Sequence, residues 1–102
     1  MAKYELLINM LEKDPDLYKI LTSKPHLEVL EEISKKPILF KDLQIKIYFK
    51  RVSILYNILD TLMDKEFIKK IVLADKETYY ITEIGNKFIQ NYKESKEELN
   101  LI

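Results

Sequence analysis

Eight polar residues near the middle of the chain are the group best suited to chemistry with a polyanion. Lys50, Arg51, Ser53, Tyr56 and Asn57 lie in one stretch, and Lys69, Lys70 and Lys76 follow shortly after it. Lysine and arginine engage phosphate oxygens; an asparagine can read adenine through two hydrogen bonds, and an arginine can read guanine. The plainer alternative is that these are solvated charges on an ordinary surface. No competing chemistry has a comparable group. The chain has no cysteine, which removes disulfides, thiolate catalysis and cysteine-based zinc. His26 is the one histidine and lacks a second ligand at metal spacing, so no metal or cofactor is expected. Asp14 and Asp16 flank Pro15 as capping residues, and no nucleophile–base pair or phosphate loop points to an enzyme.

The residues that must position this group run from Lys50 to Ile68. Val52, Leu55, Ile58, Leu59, Leu62 and Met63 fall on one side of a 3.6-residue helix, predicted to start between Arg51 and Ser53. Ser53, Asn57, Asp60 and Asp64 fall on the other side, with Tyr56 at the boundary. Asp60 and Asp64 are expected to point away from a duplex. The pattern then becomes strand-like over 67–73, breaks at a polar tip over 74–77, and returns over 78–82. A helix with an exposed polar stripe, followed by a hairpin, is how a winged helix-turn-helix meets a DNA groove. Its leading turns would enter the groove, with Lys76 at the wing tip and Lys69 and Lys70 nearer the base.

Upstream, residues 3–13 place Leu6, Leu7, Met10 and Leu11 on one helical face. Asp14-Pro15 and Ser23-Lys24-Pro25 each read as a cap with proline in the first turn, opening one helix to about Leu21 and another carrying Leu27, Leu30 and Ile33 inward. Pro37-Ile38-Leu39 suits a short strand. Phe40 to Ile47 reads as the first helix of the motif, and the turn Ile47-Tyr48-Phe49-Lys50 contains no glycine. Thr82 can cap a last helix whose stripe is Ile84, Phe88, Tyr92 and Leu99.

A chain of 102 residues suits one domain. Its parts are expected to be an N-terminal helical extension (1–24), a winged core (25–82) and a C-terminal helix (83–102). No apolar run approaches the roughly 20 residues that span a bilayer. The acidic N-terminal stretch has no small-residue cleavage site, so a cytoplasmic protein is the plain reading. Net charge is zero but unevenly spread: four cations against seven acids in 1–34, ten against five in 35–76, and three against five in 77–102. The positive excess coincides with the candidate reading unit.

The order of elements resembles archaeal and bacterial winged-helix transcriptional regulators of the broad MarR, PadR and ArsR type. Tyr79-x-Ile81-Thr82-x-x-Gly85-x-x-Phe88 is similar to the pattern with which many of them leave the wing, and Leu59-x-x-Leu62-x-x-x-x-Phe67-Ile68 to their recognition helix running into it. Glu66 stands where that family usually has glycine before the strand, and arginine is nearly absent. The resemblance implies a mainly α fold with a small β-hairpin wing, double-stranded DNA as partner, and transcription regulation. Beyond the winged core, Leu6, Leu7, Met10 and Leu11 need a partner surface. With Phe88, Ile89 and Tyr92 they are expected to form a homodimer interface placing two heads on a pseudo-palindromic site; the alternative is packing within their own domain. Zero net charge, one arginine and the apolar Tyr48-Phe49 turn keep a second function open, a winged helix that binds protein rather than DNA.

Overall fold

The computed structural model describes residues 3–47 and 51–100. Among these described residues six helices and three strands follow in the order α1 (Lys3–Lys13), α2 (Leu17–Leu21), α3 (Lys24–Lys35), β1 (Ile38–Leu39), α4 (Phe40–Ile47), α5 (Val52–Asp64), β2 (Ile68–Leu73), β3 (Lys76–Ile81) and α6 (Glu83–Asn100). The mainly helical architecture with a small hairpin is the one expected. Boundaries shift where local hydrogen bonds decide them. Asp14 accepts the Asp16 N–H on its side chain (3.2 Å) and the Leu17 N–H on its carbonyl (3.1 Å), so residues 14–16 form a turn and α2 starts later than Pro15 suggested. The Ser23 side chain caps no backbone N–H; its Oγ lies 2.6 Å from His26 Nδ1 instead.

The sheet is antiparallel with order β1-β3-β2, leaving β2 at the free edge. Lys76 pairs with Leu73 and Glu77 with Val72, so the tip contracts from the expected four residues to Ala74-Asp75. Both tip residues have positive φ (49° and 63°), as the two-residue turn matched to strand twist requires. Neither is the glycine or asparagine that normally announces such a turn, which is why the strand ends read as loop.

Helix α5 supplies the centre of the core. Leu55, Ile58, Leu59 and Leu62 are buried with Leu30 and Ile33 of α3, Leu43 of α4 and Tyr79 of β3. Val52, expected inward, is 42% exposed because it opens the helix ahead of that packing. The C-terminus of α5 is a Schellman motif: Phe67 N–H donates to Leu62 O (3.0 Å) and Glu66 N–H to Met63 O (2.9 Å), while Phe67 and Leu62 pack into the core. The motif forces Glu66 to φ 61°, a left-handed conformation that costs an L residue roughly 1–2 kcal/mol. Glycine's greater unfolded-state freedom offsets part of that strain. Glu66→Gly is therefore expected to stabilise the fold by about 0.5–1 kcal/mol, read as a higher denaturation midpoint at unchanged m value.

Helix α6 begins at a cap that also stitches the wing to α5. Thr82 Oγ1 accepts the Gly85 N–H (3.0 Å) and donates toward the carbonyls of Glu66 (2.6 Å) and Phe67 (3.0 Å), while Thr82 N–H donates to Phe67 O (2.9 Å). This places Gly85, Phe88, Ile89 and Ser95 inward and leaves Ile84 half exposed, so the inner stripe starts one residue later than expected. Phe88 stacks on Phe67 with ring centroids 4.6 Å apart.

Candidate nucleic-acid interface

The leading end of α5 is open. Arg51 is its N-cap residue in extended conformation and makes no side-chain cap, and Arg51, Ser53 and Asn57 are all exposed. Asp60 and Asp64 are exposed one and two turns further along the same stripe, so the exposed side of α5 runs from Arg51 through uncharged Ser53 and Asn57 to an acidic end. Lys50 lies outside the described residues, as do Tyr48 and Phe49.

Tyr56 is already engaged. Its ring stacks on Phe40 at 4.4 Å, and its hydroxyl donates to Glu77 Oε2 at 2.6 Å. That hydrogen bond raises the pKa of the phenol, with burial and the carboxylate charge adding to it. Tyr56 thus ties α5 to β3 of the wing, and its hydroxyl, expected to be open for a base contact, is committed to Glu77. Lys70 is engaged by the other oxygen of the same carboxylate (3.6 Å). Residues 56 and 77 are 21 apart in sequence, and only the strand register reveals the pairing.

The lysines of 35–76 converge only in part. Lys35 and Lys46 share Glu32 (2.8 and 3.5 Å), and Lys65 is clasped by Asp14 and Asp16 (2.9 and 3.5 Å). The Lys65 clasp ties the turn between α1 and α2 to the end of α5; its hydrogen bond to Asp14 raises the lysine pKa despite opposing burial. Lys41, Arg51, Lys69 and Lys76 are exposed and have no ion pair among the described residues. Lys41 was not singled out in the sequence, because nothing local distinguishes it. The fold brings it to the first turn of α4, where it and Lys76 line a cleft of about 330 Å³ between α4 and the wing tip, with Asp75 and Glu77.

The residues expected at a dimer interface divide as well. Phe88 and Ile89 are 0% and 1% exposed within their own chain, so they have no area left to give a second copy. They hold α6 to the core, which corrects their assignment as interface residues. Leu7, Met10, Leu11 and Tyr92 are half-buried against the same core, and α1 lies along α6. Leu6 and Ile8 remain exposed on α1 (37% and 45%). His26 is partly buried, which lowers its pKa, and the described residues contain no group of three or more His, Cys, Asp or Glu arranged to hold a metal. No described helix is long and apolar enough to cross a membrane.

No family model matches the chain, and no curated protein sequence does. Solved structures do. A MepR–DNA complex from S. aureus aligns over 95% of this chain and 84% of its own at TM-score 0.69 and 14% identity. S. aureus MepR in its DNA-binding conformation aligns over 96% and 80% at TM-score 0.67 and 16% identity. The heme sensor protein PefR from Streptococcus agalactiae, in complex with heme, aligns over 96% and 74% at TM-score 0.68 and 21% identity. The chain shares the winged helix-turn-helix fold of these proteins. By that correspondence α4 and α5 are the two helices of the helix-turn-helix and β2–β3 the wing.

Proposed function

We propose that the chain is a DNA-binding transcriptional regulator, without a catalytic step, that acts on double-stranded DNA as a homodimer. The observation that carries this reading is the exposed end of α5 (Arg51, Ser53, Asn57) in a fold that also leaves Lys41 on α4 and Lys69 and Lys76 on the wing exposed and without an ion pair among the described residues. Likeness in fold to a MepR–DNA complex supports it. In this reading Asn57 and Arg51 contact bases, the lysines contact phosphates, and Tyr56 holds the two parts in register. Exposed Leu6 and Ile8, on the helix that flanks α6, are the apolar surface for the second copy.

Binding to duplex DNA titrated against salt tests the proposal. With about 3–5 phosphates neutralised per subunit, a dimer is expected to give a log–log slope of about −5 to −9. Lys76→Ala is expected to weaken all sequences alike and flatten the slope, whereas Asn57→Ala changes sequence preference. A slope near zero refutes the reading. One observation favours a protein partner instead: Ile71, Val72 and Leu73 are 44%, 55% and 68% exposed on the free-edge strand of the wing. Capture of a stoichiometric protein with no DNA retained at low salt selects that alternative.

A further inference from the structure

Helix α5 keeps its apolar residues against the core with two exceptions, both in its first turn. Val52 and Ile54 are 42% and 44% exposed and lie on either side of Ser53, while Leu55, Ile58, Leu59 and Leu62 are buried and Met63 packs on the core. Ile54 and Asn57 are three residues apart, hence neighbours on the helix surface, and line one shallow groove whose far wall is Ser23, Pro25 and His26 at the start of α3. Val52 sits one turn before Tyr56, whose bond to Glu77 brings the wing and its lysines to that flank. Two branched aliphatic side chains therefore stand at the end of the helix where polar residues would serve solubility better.

A duplex offers these side chains one apolar feature. In the major groove thymine presents its C5 methyl beside O4, while the adenine opposite presents N7 and N6 to an amide. We propose that the leading end of α5 selects A·T base pairs, with Asn57 pairing to adenine and Val52 and Ile54 covering thymine methyl groups. The inference rests on the DNA-binding reading above and names its ligand class: duplex DNA carrying 5-methyl pyrimidines at the sites of contact. The side chains around the pair favour DNA over a protein partner. Arg51, Ser53 and Asn57 border the two aliphatic groups with polar atoms, and Lys69 and Lys76 on the wing are exposed with no ion pair among the described residues, a setting that suits a polyanion.

Removing the methyl group alone tests this. Competition at fixed low salt uses an alternating dA–dT duplex, the dA–dU duplex with the same hydrogen-bonding edges and no C5 methyl, and an alternating dG–dC duplex. Burial of one methyl group is worth about fourfold, so the intact chain is expected to hold dA–dT about three- to tenfold more tightly than dA–dU. It is expected to hold dG–dC more weakly than dA–dT. In the Val52→Ser, Ile54→Ser double variant the dT-to-dU ratio is expected to fall to near one while the salt slope stays unchanged. Both positions are exposed, and the circular dichroism spectrum verifies that the helix is retained. Equal binding of dA–dT and dA–dU by the intact chain overturns the inference and leaves DNA binding standing. A ratio that persists in the double variant overturns the assignment to Val52 and Ile54. Failure to retain any duplex at low salt overturns the DNA-binding reading and the inference with it.

Discussion

Gly85→Ala is expected to destabilise the protein by about 3 kcal/mol or more, at the upper end of overpacking effects. A Cβ at this position would sit 2.1 Å from the carbonyl oxygen of Phe67 and 2.8 Å from its carbon. The obstacle is backbone, so no side-chain rotation relieves it. The same carbonyl accepts Thr82 N–H and lies within hydrogen-bonding distance of Thr82 Oγ1, so moving it apart also loosens the cap of α6. Against a typical net stability of about 5–15 kcal/mol for a small domain, the loss is a large fraction. The readout is a chemical-denaturation midpoint or a melting temperature, which falls by about 4–8 °C per kcal/mol in domains near this size. Asn86→Ala, on the exposed side of the same turn, is the control and is expected to stay within about 0.5 kcal/mol. An unshifted midpoint for Gly85→Ala would mean that α6 does not seat on the Phe67 backbone.

That glycine also shows what the chain discloses before folding. Thr82-x-x-Gly85 is a local device: the threonine satisfies an N–H three residues on, and the missing Cβ admits the Phe67 backbone in the turn before β2, so both residues lie within one turn of each other. The buried stripe of α5 is legible for the same reason, since Leu55, Ile58, Leu59 and Leu62 follow helical spacing. What was not legible depends on residues far apart. Tyr56 looked available until β3 brought Glu77 to its hydroxyl. Lys65 looked like one more surface cation until the first turn of the fold supplied Asp14, 51 residues away. Charge counted along the chain therefore overstated the cations left for a polyanion, and Lys41 joins them only because α4 starts beside the wing.

Periodicity has a second blind spot, because it shows that a residue is covered without showing what covers it. Phe88 and Ile89 on α6 and the apolar face of α1 each call for cover, and a second chain or the chain's own core would satisfy that equally. The fold decides between them. Phe67, displaced inward by the Schellman motif at the end of α5, meets Phe88 ring to ring and removes it from any surface. On α1, by contrast, Leu6 and Ile8 keep exposed area that the proposed dimer can use.

Phe88→Ala separates these two kinds of burial, and its expected cost is about 3–5 kcal/mol, from lost transfer energy and the cavity left beside Phe67. If Phe88 belongs to the protomer core, the deficit is the same at every protein concentration, since the loss occurs within each chain. An interface residue behaves differently: its truncation weakens association, and raising the concentration restores stability by mass action. Leu6→Ser with Ile8→Ser provides the contrast. These side chains are 37% and 45% exposed, so the double change is expected to leave helical content intact while shifting sedimentation towards monomer and weakening the concentration dependence of unfolding. A deficit in Phe88→Ala that disappears at high concentration would move α6 from the core to the interface. A double α1 variant that sediments as the parent does would instead remove α1 from the dimer, and with it the spacing of two reading heads on one duplex.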